Sequence, residues 1–138
     1  MGSPNKFELK PSNPAGLAST TGYSQIIEAS CNRIIFISGQ TSINSAGETV
    51  GVDDFPLQAS QVFRNLEIAL KEVGCNASNL AKLTVFLRDM DNLIAYREAR
   101  NRFLQSVTPP AAPAITLVEV SRLYGADFLI EIEAIAIR

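Results

Sequence analysis

Ala59, Val62, Phe63, Leu66, Ala69, Leu70 and Val73 fall three and four residues apart, so that 56–73 forms one apolar stripe and predicts an amphipathic helix. Asp53 or Asp54 stands where a capping carboxylate belongs, and Gly74 where the chain must turn out of the helix. A second stripe, Leu93, Tyr96, Ala99 and Phe103, predicts another helix, with Asp91 as its cap and Thr108-Pro109-Pro110 as its end.

Between and around these helices the period changes to two. Residues 7–10 are a short strand candidate; 26–28 and 34–40 are β-prone runs parted by Ser30, Cys31 and Asn32, as in a hairpin; 44–47 is a polar turn. Residues 80–87, 114–120 and 128–137 are further strands, the last two joined by a turn at Tyr124-Gly125-Ala126-Asp127. The predicted order is β-β-β-α-β-α-β-β, an α+β fold whose mixed sheet carries two helices on one face. Residues 1–22, rich in Pro, Ser, Asn and Gly, read as an ordered N-terminal arm. No internal repeat or later linker divides the chain, so 1–138 is expected to form a single domain.

Two helices cover only one face of a sheet of five or six strands, yet Ile34-Ile35-Phe36-Ile37 and Ala134-Ile135-Ala136-Ile137 are apolar toward both faces. The economical cover for the second face is another copy of the chain. Shielding by the N-terminal arm is the alternative.

Composition narrows the chemistry. The chain has 46% apolar residues, 12 Lys and Arg against 14 Asp and Glu, and its basic residues are scattered, which argues against a nucleic-acid partner. No apolar run approaches the roughly 20 residues of a membrane span, and no charged-then-apolar leader opens the chain, so a cytoplasmic protein with no membrane partner is expected. There is no histidine, and the two cysteines, Cys31 and Cys75, stand apart, which removes His-dependent nucleophiles and zinc sites and leaves no metal expected. Catalysis would fall to carboxylates, arginines, tyrosines, backbone groups and water.

In the strand 128–137, Glu131 and Glu133 interrupt a face shared with Leu129, Ile135 and Ile137. A carboxylate among apolar neighbours has its charged form disfavoured, which suits it to take a proton near neutral pH; the plainer alternative is that both face solvent or pair with an arginine. Ser38-Gly39-Gln40 ends an apolar strand with residues that allow close backbone approach. Arg97, Arg100 and Arg102 share one helix, of which one or two at most can face a single pocket, or all can be solvated. Tyr23 follows Thr20-Thr21-Gly22 into a strand and is either a lid over a site or ordinary packing.

Together, Gly22-Tyr23-Ser24-Gln25, Ile37-Ser38-Gly39-Gln40, Val118-Glu119-Val120 and Ile130-Glu131-Ile132-Glu133-Ala134-Ile135-Ala136 resemble the Rid (reactive intermediate deaminase) family across nearly the whole chain. The resemblance implies a chorismate-mutase-like fold and a homotrimer around a central barrel, with small-molecule pockets between subunits. It also implies hydrolysis of imines or enamines to a keto compound and ammonia without a cofactor. By the same resemblance Tyr23 lines the pocket, Gly39 adjoins it, the main chain near Leu117 contacts the ligand and Glu131 orients the attacking water, while the hydroxyl of Ser38 beside Gly39 is of the kind a small-ligand pocket uses. The family's carboxylate-clamping arginine is absent: its position carries Ile115. Arg97 stands where relatives carry a smaller polar group and is a candidate relocated cation.

The implied function is therefore an imine or enamine deaminase whose substrate differs from the usual 2-imino acids. The alternative is a trimer that binds a small metabolite or regulates a partner without turnover. A ribonuclease label carried by some relatives fits poorly with the acidic balance and the lack of histidine.

Overall fold

In a computed structural model, residues 6–138 are described; the first five residues of the expected arm lie outside them. The element order is β1 (Glu8–Ser12), β2 (Ile26–Ser30), β3 (Ile34–Gln40), α1 (Phe55–Glu72), β4 (Leu80–Leu87), α2 (Leu93–Leu104), β5 (Ala114–Glu119) and β6 (Ile130–Ile137), with 3-10 turns at Ala77–Asn79 and Met90–Asn92. This is the predicted α+β order.

The strand pairing departs from expectation at one point. The runs 26–28 and 34–40 do not form a hairpin. β1 pairs antiparallel with β2 in a separate two-stranded ribbon, while the main sheet has four strands in the order β3-β6-β4-β5. Tight hairpin turns need residues at positive φ, and none of Cys31, Asn32 or Arg33 adopts one. Instead Arg33 and Arg138 exchange main-chain hydrogen bonds of 2.9 and 3.0 Å, which starts β3 against the C-terminal strand. β6 runs antiparallel to both β3 and β4, and β5 closes the sheet parallel to β4.

α1 begins as the sequence suggests, with Asp54 Oδ1 accepting from the Leu57 N–H at 3.1 Å and Pro56 in the first turn, where a missing N–H costs nothing. Gly74, at φ +74°, ends it. For α2 the expected cap at Asp91 is wrong. Asp89 accepts from the Asp91 N–H and opens the 3-10 turn, and α2 itself starts from Asn92 with no side-chain cap. The extra turn shifts the helix start past the aspartate.

The core lies between the helices and one sheet face. Val62, Phe63, Leu66 and Leu70 of α1 and Tyr96, Ala99 and Phe103 of α2 pack over Leu83, Val85, Ile132 and Ala134. Phe63 is the hinge of this packing, with its ring centroid 6.4 Å from Tyr96 and 5.0 Å from Phe103. The opposite face is left open: Phe36 is 75% exposed, Ile34 60% and Val118 39%. Among the described residues no helix is long and apolar enough to cross a membrane.

Candidate functional site

Pairing register decides which side chains share the open face. Phe86 stands opposite Glu131, Thr84 opposite Glu133 and Lys82 opposite Ile135, while the alternate residues Leu83, Val85, Leu87, Ile130, Ile132 and Ala134 go to the core. Both glutamates thus stand on the sheet face without helices. Glu133 is exposed and Glu131 half-buried.

Glu131 owes its burial to β3. The β3–β6 register slips between Ile37 and Gln40, and this irregularity brings Gly39 against the carboxylate. A Cβ added at Gly39 would fall 2.9 Å from Glu131 Cδ and closer still to its oxygen. A side chain at this position would have to push the Glu131 carboxylate aside. Burial raises the Glu131 pKa, and the charge of Glu133 raises it further. Ser38 is exposed, and its carbonyl accepts from Gln40 Nε2 at 3.0 Å.

Gly39 also borders a cavity of about 380 Å³ with Thr41, Asn44, Asn65 and Tyr124. Its polar wall is fixed by a 2.7 Å Thr41–Tyr124 hydroxyl contact and by Asn65 Nδ2, which donates to the carbonyls of Thr41 and Ile43.

Tyr23 and Arg97 occupy a different place. The chain before β2 is held to β5 through Ser24, whose N–H donates to Pro113 O at 3.1 Å and whose Oγ donates to Ala112 O at 2.6 Å. This brings residues 19–23 against α2 and encloses about 360 Å³ between Ser19, Thr21, Tyr23, Arg97, Arg100 and Asn101. Glu131 lines neither cavity.

Ile115 pairs with Leu83 and Leu117 with Val85, so both side chains turn toward the helix-covered core and away from the face that carries Glu131. The candidate residues therefore fall into three places in one chain: Ser38, Gly39 and Glu131 together, Tyr23 with Arg97, and Ile115 with Leu117 in β5. Sequence reasoning had the arginine count right, since two of the three, Arg97 and Arg100, line one cavity while Arg102 lines another. It gave Arg100 and Asn101 no role. Arg100 lies one turn after Tyr96, and that i, i+4 spacing was the signal that it faces inward.

The mixed sheet, the two helices on one face and the glutamate-bearing last strand define a chorismate-mutase-like α+β protein of the YjgF type. The sequence matches the family described as Endoribonuclease L-PSP over residues 14–138, and the chain belongs to this family, the Rid proteins. It is 37% identical to a RutC family protein of Synechocystis over 83% of this chain and 85% of that one. It is 34% identical to the 2-iminobutanoate/2-iminopropanoate deaminase of Mus musculus, over 84% and 81% of the two chains. Among solved structures, the Rid family protein YyfB of Yersinia pestis, of unknown function, superposes with a TM-score of 0.87 at 28% identity, covering 94% of this chain and 98% of that one.

Proposed function

We propose that this chain hydrolyses a small imine or enamine, and that it does so as a homotrimer whose sites form between copies. One observation carries the chemistry: a half-buried carboxylate, Glu131, pressed against Gly39 on the open sheet face, with its pKa raised by burial. Such a group accepts a proton from water as the water adds to the C=N carbon and passes it to nitrogen, giving the carbinolamine, then takes the carbinolamine's hydroxyl proton and delivers it to nitrogen as the C–N bond breaks and the C=O forms. Imine and water give a keto compound and ammonia. The mouse relative, named for 2-iminobutanoate and 2-iminopropanoate, supports this class of substrate.

Two features support assembly. Ile34, Phe36 and Val118 leave an apolar surface that a single chain does not cover. The candidate residues also lie in separate places within one chain, and a neighbour's Tyr23 segment docked beside Glu131 brings them together. A cytoplasmic setting and the absence of nucleic-acid or membrane partners are part of the same reading.

A second reading, metabolite binding without turnover, is favoured by Ile115, an apolar side chain turned into the core where relatives hold a carboxylate clamp. The two separate by experiment. Imines generated in situ from an amino-acid oxidase are followed for keto-acid and ammonia release with and without the protein. Acceleration that the Glu131→Gln variant lacks supports hydrolysis; saturable binding with no acceleration supports the second reading.

A further inference from the structure

Arg100 is the one charged residue among the buried polar side chains of the described chain, with 6% of its surface exposed. Its hydrogen-bond acceptors are neutral: Asn101 Oδ1 takes Nε at 3.1 Å and Nη2 at 3.0 Å, and the Thr21 carbonyl takes Nη2 at 3.3 Å. The Tyr96 ring lies 5.9 Å from the guanidinium carbon. Tyr96 supplies no counter-charge. Its phenol is pushed up to about 12 by burial, against the opposing pull of Arg100 and Arg97, so it stays protonated at neutral pH; its hydroxyl feels the Arg100 charge without hydrogen-bond geometry to it.

A buried guanidinium with only neutral partners is costly, and this one is held in place deliberately. Gly22, at φ +80°, lets the main chain lie on it, since a Cβ there would fall 2.5 Å from Nη2. The cavity it borders is lined by a second guanidinium, Arg97, by three hydroxyl side chains, Ser19, Thr21 and Tyr23, and by Asn101, with no Asp or Glu. Two like charges on a polar cavity wall with no acid beside them lack an anion.

We propose that this cavity binds a small oxyanion, the carboxylate of the substrate, with Arg97 as the clamp at the mouth and Arg100 as the fixed charge behind it. The choice of carboxylate over phosphate rests on the imine reading above and deepens it: the substrate is an anionic imine or enamine despite Ile115. The charge lost from β5 is supplied by α2.

Calorimetric titration of the full-length protein with 2-oxobutanoate, its neutral methyl ester and inorganic phosphate tests this. The keto acid is expected to bind more tightly than either, and Arg97→Gln to weaken it roughly tenfold to a hundredfold while leaving the ester unchanged. Arg100→Gln, which retains a donor for Thr21, is expected to lose the same affinity with an unfolding temperature equal to or above wild type; if that variant does not fold, Arg97→Gln decides. Equal affinity for acid and ester, or wild-type affinity in Arg97→Gln, overturns the anion site. Phosphate binding tighter than the keto acid overturns the carboxylate assignment. Imine turnover measured in parallel keeps the two claims apart. Arg97-dependent binding in a protein that releases no ammonia keeps the pocket and overturns the deaminase reading; turnover unchanged in Arg97→Gln does the reverse.

Discussion

Gly39 and Glu131 meet across the irregular β3–β6 pairing, and there is no room for a methyl group between them. Gly39 is not among the glycines at positive φ, so an alanine is tolerated by the backbone and acts on the glutamate alone. Gly39→Ala is expected to lower kcat/KM about tenfold to a hundredfold by displacing the carboxylate, with a small change in unfolding temperature because the end of the Glu131 side chain can move. Steady-state kinetics beside a thermal melt checks this; a large stability loss with activity intact contradicts it.

The raised pKa of Glu131 predicts two pH effects. Its ionised form takes the proton from water, so activity falls as pH drops through a value above the ordinary carboxylate range. Glu133→Gln removes the second cause of that shift and moves the acid limb of the kcat/KM profile to lower pH.

Stability follows the same shift with the opposite sign. The native state holds the Glu131 proton to higher pH than the unfolded chain, so the unfolded state binds fewer protons in that window and stability declines as pH rises through it. Glu131→Gln lacks this term. The melting temperature of the variant relative to wild type is expected to rise as pH climbs from the ordinary carboxyl value through the raised one; a constant difference contradicts it.

Gln58, fully buried in α1, holds the loop before β6. Its Nε2 donates to the carbonyls of Gly51 at 3.0 Å and Asp127 at 2.7 Å, and its Oε1 accepts from the Leu129 N–H at 2.9 Å. Gln58→Leu strands all three main-chain groups and is expected to cost about 2–4 kcal/mol. Urea denaturation measures it, and a loss under about 0.5 kcal/mol, the range of ordinary surface changes, contradicts the assignment.

Phe36 is the most exposed apolar side chain of β3, and the proposed assembly puts it at the interface between copies. Phe36→Asp is expected to convert a trimer of 14.9 kDa chains to smaller species. Light scattering coupled to size exclusion reads this directly, and an unchanged trimer moves the interface elsewhere.

Helix α1, the succession of strands and helices along the chain and the two-faced alternation of β6 were legible because each is a local period that burial enforces: Glu131 and Glu133 are on the face the alternation assigns them. The β1–β2 pairing was not legible. Residues 31–33 give the short spacing of a hairpin, and only the φ values there and the Arg33–Arg138 bonds reveal that the chain passes on to another sheet. The cap of α2 was missed because Asp89 and Asp91 are both capping residues and the sequence does not tell a 3-10 turn from a first helical turn. Arg100 was missed for a third reason. Composition treats an arginine on a helix as solvated, and its burial depends on residues 19–23 returning over α2, a contact across some eighty positions.

The central claim, that a working site takes Tyr23 from one copy and Glu131 from another, has a direct test. Tyr23→Ala and Glu131→Gln chains, each inactive in imine hydrolysis, are unfolded together in equal amounts and refolded. If sites form between copies, random assembly pairs an intact Tyr23 with an intact Glu131 at about a quarter of the interfaces, and roughly that share of wild-type activity returns. No recovery, with mixed trimers verified by mass, would mean that the two residues serve within one chain or do not share a site.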